Sequence, residues 1–221
     1  MKPFLVDVPV LILFFNRPQQ LSQVFEQVRN ARPSKLFLYQ DGPRGEHDLP
    51  GIKACREVTD QIDWDCKVHR MYQEKNYGCD PSEYISQKWA FSMVDKCIVL
   101  EDDDVPSVSF FTFCKEMLDK YEQDTRITMI AGFNNEEITP DVPYDYFFAW
   151  GWASWKRVID QWDEHYTFLE DKFNMQQLEQ LIKERKFRKD FIYMCHRHKE
   201  NNKAYYETIF HASMLFNSGL A

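Results

Sequence analysis

Apolar residues in the first half of the chain come in blocks separated by stretches of helical spacing. Residues 8–15 (VPVLILFF) are an almost unbroken apolar run, followed by Asn16-Arg17-Pro18 and then by Leu21, Val24, Phe25 and Val28 at offsets of 0, 3, 4 and 7. That order predicts a strand, a turn and a helix. Residues 35–39 (KLFLY) predict a second strand, closed by the turn signal Gln40-Asp41-Gly42-Pro43. A weaker helical pattern over residues 52–62 leads to a third strand near residues 66–72. Asn76-Tyr77-Gly78 then breaks the chain, and Pro81 suits the first turn of a helix whose Ile85, Trp89 and Met93 recur every four residues. Residues 96–100 (KCIVL) predict a fourth strand, Phe110, Phe113, Cys114, Met117, Leu118 and Tyr121 an apolar helical stripe, and residues 126–132 (RITMIAG) a fifth strand.

Strands that are apolar throughout, rather than at every second position, are buried on both faces. Separated by helices, they describe an α/β fold with a Rossmann-like, mostly parallel sheet flanked by helices. From residue 133 the regularity gives way to a loop-rich, aromatic stretch and then two polar helices, near residues 169–185 and 187–200. The expectation is one domain with a loop-rich and helical C-terminal portion.

Composition narrows the class. With 44% hydrophobic residues the 221-residue chain can bury a sizeable core. No window reaches the length of a membrane-spanning helix, and Asp7 and Pro9 interrupt the N-terminal apolar run, which therefore reads as a strand and not a signal peptide. A net charge of −8 without a basic stripe argues against nucleic acid as a partner. The densest basic patch, KERKFRK at residues 183–189, reads either as a solvated helix face or as a peripheral dock for an acidic surface or an anionic membrane. The six cysteines form no CxxC pair and two lie in strand-like runs, so reduced thiols in a cytoplasmic protein are expected, with the inner membrane face as the peripheral alternative.

The chemistry concentrates where the strands end. Asn16-Arg17, Asp41-Gly42, Asn76 and Glu101-Asp102-Asp103-Asp104 all fall after predicted strands, on the edge where open α/β sheets bind ligands. Adjacent carboxylates repel by about 1 kcal/mol per close pair in water, so four in a row need a cation, donors or full solvation. Mg²⁺ or Mn²⁺, held by one or two carboxylates and by substrate phosphates, would meet that need. The other reading is a solvated acidic turn, with Asp104 as N-cap of a helix starting near Pro106. Cys195, His196 and His198 lie close in sequence, but helix positions two apart face different ways, so a shared zinc is not expected. His211 is a better candidate for the rim of a site that includes Glu207.

Taken together, FNRP (15–18), QDGP (40–43), NYG (76–78), VLEDDDVPS (99–107), IAGFNN (130–135) and GWASWKR (151–157) resemble the nucleotide-sugar glycosyltransferases of the GT-A fold. The resemblance is to the branch around the N-acetylglucosaminyltransferase that starts complex N-glycans, and to its bacterial relatives. It covers residues 8 to about 160 and implies a nucleotide-sugar-binding half (1–135) and an acceptor-side half (136–221). It further implies that Asn16, Arg17, Asn76 and Asp102 bind the nucleotide and that Asp41 accepts a hydrogen bond from its base, which points to a UDP-sugar. Asp103 would be the direct Mn²⁺ or Mg²⁺ ligand. Asp104 stands where relatives carry an apolar residue, so the ligand register is open by one. Asn134, Trp150, Gly151 and Trp152 would hold sugar or acceptor, although two tryptophans beside a turn also suit a core. Glu207, in AYYETIF, would be the general base, with Glu for the family's Asp and Tyr206 for its Trp; a helix-surface glutamate is the alternative. Relatives also continue past FNSGLA into a strand and tail, which implies a chain truncated at its C-terminus.

Three functions follow for testing. The first is a metal-dependent inverting glycosyltransferase acting on a glycan acceptor in cell-surface polysaccharide or glycoconjugate synthesis. The second is a metal-dependent phosphohydrolase or nucleotidyltransferase that activates water or a hydroxyl at the acidic cluster. The third is a non-catalytic nucleotide- or carbohydrate-binding domain on the same scaffold.

Overall fold

The computed structural model describes residues 1–132 and 150–221. Four strands, β1 (Val10–Phe14), β2 (Lys35–Gln40), β3 (Lys67–Tyr72) and β4 (Lys96–Glu101), pair in parallel, with β1 between β2 and β4. They are joined by α1 (Pro18–Ala31), α2 (Leu49–Thr59) and α3 (Cys79–Met93). The α/β, mostly parallel architecture expected from the apolar blocks is therefore present. Every residue of β1 is buried, the burial pattern of a central strand covered on both faces. α1 starts with Pro18 in its first turn and buries Leu21, Val24, Phe25, Val28 and Ala31.

The second half departs from the parallel rule. After α4 (Val108–Lys120) come β5 (Ile130–Ala131) and β6 (Trp152–Trp155), and β6 runs antiparallel to both β4 and β5. The sheet order among the described residues is β3-β2-β1-β4-β6-β5. The strand expected over residues 126–132 shrinks to two residues because Arg126 and Thr128 spend their backbone groups on Leu220 instead of on a sheet neighbour. A short helix, α5 (Lys156–Ile159), then precedes α6 (Lys172–Leu181), α7 (Arg185–Glu200) and α8 (Tyr206–Phe216). The break between α6 and α7 comes earlier than the polar pattern suggests, because the Glu184 carboxylate accepts from the N–H groups of Lys186 and Phe187 and so caps α7.

Helix α3 is rolled relative to its apolar pattern. The Ile85, Trp89 and Met93 row lies half-buried to exposed, while Glu83, Tyr84, Ser86, Gln87, Ala90 and Phe91 face inward. The reason is its partners: α3 packs on α5 and α8 as well as on β1 and β4, so the side turned toward α8 is enclosed although it is polar. All six cysteines are unpaired thiols. No described helix is long and apolar enough to cross a membrane.

Candidate nucleotide and metal site

The connections out of β1 run to one side, to β2 and then β3, and the chain returns past β1 to form β4. The reversal point therefore lies between β1 and β4, the place where parallel α/β sheets open a crevice at their carboxyl ends. A cleft of about 450 Å³ sits there. Asn16, Arg17, Asp41, Asn76 and Asp102 line it, so five residues expected from the sequence do converge. A second cleft, of about 300 Å³, holds Asp103, Asp104, Trp150 and Gly151 on the other side of the acidic turn.

Arg17, at the start of α1, ties the turn together. Its Nε and Nη2 donate to the two oxygens of Asp102, and its Nη1 donates to Oδ2 of Asp103 at 2.9 Å. Asp102 is buried and Asp103 half exposed, so the same guanidinium serves an inner and an outer carboxylate. The Asp102 hydrogen bond holds Arg17 more firmly protonated, while burial pushes the Asp102 carboxyl up against the pull of Arg17. Asp104 does not cap α4, contrary to the solvated-turn expectation; Ser107 holds the N-cap position. Its Oδ2 accepts instead from the N–H of Glu101 at 3.1 Å and of Gly151 at 2.9 Å, linking the turn to the start of β6. Gly151 adopts φ 65°, a left-handed conformation that a glycine takes at little cost.

On the β2 side, Asp41 is fully employed. Oδ1 accepts from the N–H groups of Gly42 and Tyr77, and Oδ2 from Gly78 N–H and Asn76 Nδ2, all between 2.7 and 3.0 Å. A carboxylate offers about four lone-pair positions, and here all are filled within the chain. The carboxylate thus clamps the 76–78 loop against the end of β2. Gly42 permits the approach, since a Cβ there would lie 2.5 Å from the Lys75 carbonyl.

Sequence reasoning missed Asp48, which is buried and accepts from Asn16 Nδ2 at 2.5 Å and from Arg44 Nε at 2.9 Å. It anchors Asn16 at the cleft mouth, and the Arg44 hydrogen bond holds it below the usual carboxylate range. Nothing in the local sequence around residues 44–48 distinguishes this acid from a solvated one.

The larger omission is on α3. Glu83 is 6% exposed, and with Asp80 and Glu207 it places carboxylate oxygens within 4.8 Å of one another. Glu83 and Glu101 also line the larger cleft. Burial, reinforced by Glu207 and Glu101, pushes the Glu83 carboxyl up to about 9; burial, then Asp104 and Asp103, pushes Glu101 up to about 7; burial also raises Glu207. No lysine or arginine among the described residues pairs with Asp80, Glu83, Glu101 or Glu207. The only sequence signal was the polar row Glu83, Ser86 and Gln87 at helical spacing, which periodicity assigns to solvent.

The two tryptophans separate. Trp150 is exposed beside the second cleft, whereas Trp152 is 1% exposed and packs among Phe91, Tyr206 and Phe210 at centroid distances of 5.5–6.5 Å. Trp152 is a core residue beneath the site and offers no free face to a sugar. Asn134 lies outside the described residues. His198 stacks on Tyr205 at 3.7 Å, and its Nδ1 lies 2.9 Å from Thr208 Oγ1. His211 sits against Phe187 and Phe191, where burial lowers it to about 4.

No protein-family model matches the sequence, and no curated protein matches it either. Among solved structures, the crystal structure of 4-diphosphocytidyl-2C-methyl-D-erythritolsynthase from Anaerococcus prevotii DSM 20548 aligns over 75% of this chain and 78% of that one. The identity is 12% and the TM-score 0.42. A likeness that distant carries nothing about chemistry, which leaves the functional reading to the geometry of the site.

Proposed function

We propose that the chain is a metal-dependent inverting glycosyltransferase that moves a sugar from a nucleotide sugar, taken as a UDP-sugar on the sequence resemblance alone because the Asp41 acceptors are occupied within the chain, to a glycan acceptor in cell-surface polysaccharide or glycoconjugate synthesis. The observation that carries the reading is the convergence of Asn16, Arg17, Asp41, Asn76 and Asp102 on one cleft at the reversal of strand order, with Asp103 and Trp150 on the adjoining cleft. The nucleotide occupies the first cleft and the transferred sugar lies toward the second, so the acidic turn stands where the diphosphate would pass.

Arg17 binds the diphosphate by giving up its outer partner Asp103 while keeping the buried Asp102, a trade of carboxylate for phosphate that suits a guanidinium fork. Asp102 thus acts by positioning Arg17. Asp103 fits a metal: it is half exposed, and Arg17 engages only its Oδ2. Bound Mn²⁺ or Mg²⁺ would offset the charge that develops on the departing diphosphate. Asp41 contributes by fixing Asn76 and the 76–78 loop at the rim. Glu207 serves as the base that takes the acceptor proton, and burial raises its carboxyl above the ordinary carboxylate range, which strengthens it as a base. Trp150 stacks on sugar, with Gly151 letting the backbone approach, while Trp152 supports that floor from the core. On this reading residues 1–135 bind the donor, residues 136–221 face the acceptor, and the protein works in the cytoplasm or at the inner face of a membrane.

The test is thermal stability with UDP, GDP and CDP, each with and without Mn²⁺; a ligand at 100 times its Kd stabilises by about 2.7 kcal/mol. A UDP shift that needs Mn²⁺ and vanishes in Asp103→Asn is expected. No shift with any nucleotide overturns the reading. Release of phosphate or pyrophosphate without sugar transfer moves it to a phosphohydrolase or nucleotidyltransferase. Tight UDP binding with neither transfer nor donor hydrolysis moves it to a non-catalytic binding domain.

A further inference from the structure

We infer that Asp80, Glu83 and Glu207 form a binding site for a hard divalent cation, distinct from Asp103 and formed without nucleotide. Two observations carry it. The first is spacing: one oxygen from each residue lies within 4.8 Å of the others. Three oxygens all within 4.8 Å of one another lie no more than about 2.8 Å from a common centre, so small side-chain adjustments bring all three to the roughly 2.3–2.6 Å at which oxygens ligate a Ca²⁺-sized ion.

The second observation is independent of that proximity. Glu83 is 94% buried by residue area, its Oε1 accepts only a weak bond from the Cys79 thiol at 3.3 Å, and its Oε2 is buried with no donor among the described residues. A buried carboxylate oxygen without a donor loses its hydration with nothing in return, and such oxygens are rare in folded chains. Around this one the neighbours are carboxylates, and none of the described lysines or arginines approaches. The described residues supply no cation, and an ion would supply both the missing charge and the missing partner.

The site has an entry path, because Glu83, Cys79 and Glu101 line the cleft. All-oxygen ligation selects Mn²⁺, Mg²⁺ or Ca²⁺ over softer metals. Water fills the remaining positions, as hard cations with few protein ligands require. With an ion in place Glu207 is a ligand, so this assignment competes with its role as base and does not rest on the transferase reading.

The experiment is Mn²⁺ titration of chelator-treated full chain at pH 8 without nucleotide, following loss of the free-ion electron paramagnetic resonance signal, with Ca²⁺ competition. At least one ion per chain is expected, with affinity falling tenfold or more in Glu83→Gln and in Glu207→Gln and changing less than twofold in Asp103→Asn. Circular dichroism checks that each variant is folded; if Glu83→Gln is not, Asp80→Asn and Glu207→Gln carry the same comparison. No binding of Mn²⁺ or Ca²⁺ at millimolar concentration overturns the site. So does binding that survives both glutamine variants, or that is lost only in Asp103→Asn. Failure of UDP to bind would sink the transferase reading and leave this result untouched.

Discussion

The turn after β4 and the α3–α8 contact each bring several carboxylates to one crevice, and the protein treats them differently. Asp102 and Asp103 share Arg17, and Asp104 takes two backbone N–H groups. Asp80, Glu83 and Glu207 receive no cationic side chain among the described residues, and Glu83 keeps an oxygen with no donor. Acids that are adjacent in sequence can be neutralised by one positioned arginine and the loop backbone. Acids that meet only through helix packing have no such local remedy, and each must hold a proton or share an ion.

The largest effect should come from removing the arginine. Arg17→Ala strands the buried Asp102, and we expect a loss of about 2–3 kcal/mol, below the range for breaking a fully buried pair because Arg17 itself is half exposed. Denaturant unfolding of Arg17→Ala, Asp102→Asn and the double variant checks it. Strictly additive losses would show that the turn does not depend on the pair.

Next in size is the pH response of chelator-treated protein. Glu83 sits near 9 in the folded chain against an ordinary value of 4.5. Between those values the native state binds more protons than the unfolded one, so stability is fully present below about pH 4.5 and falls as pH rises toward 9. Glu83→Gln should flatten that fall by about 1 kcal/mol or more between pH 6 and pH 9, measured as Tm in the absence of divalent ions. Parallel wild-type and variant curves would remove the contrast between the two carboxylate groups.

The smallest effect sharpens the comparison within the turn. Asp103→Asn removes an exposed ion pair and should shift stability by no more than about 0.5 kcal/mol in chemical unfolding, far less than loss of the Arg17–Asp102 contact. A loss as large as that from Arg17→Ala would mean that the outer carboxylate, and not the buried one, organises the turn.

Much of the framework is legible in the sequence. The apolar blocks marked four parallel strands to within a residue or two, because a strand covered on both faces cannot hide its composition. β6 was not found: WASW is four residues long and reads equally as a turn or a ligand floor, and its antiparallel seat beside β4 is a long-range choice. α3 misled for a related reason. Its period was right and its face wrong, since periodicity assumes that polar rows meet water, and here the Glu83–Gln87 row meets α8.

The sequence by itself determined the alternation of strands and helices and the arrival of Asn16, Arg17, Asp41, Asn76 and the acidic turn at one edge, because parallel strands deliver all their following loops to the same side. Only the tertiary structure decided which of those groups were occupied. It spent the Asp41 acceptors on its own loop, sent Trp152 into the core, and set Glu83 against Glu207, residues 124 positions apart in the chain. Local spacing records backbone geometry and average burial. Which side chains face each other across two packed helices depends on how those helices are rolled, and that is fixed by the whole core at once.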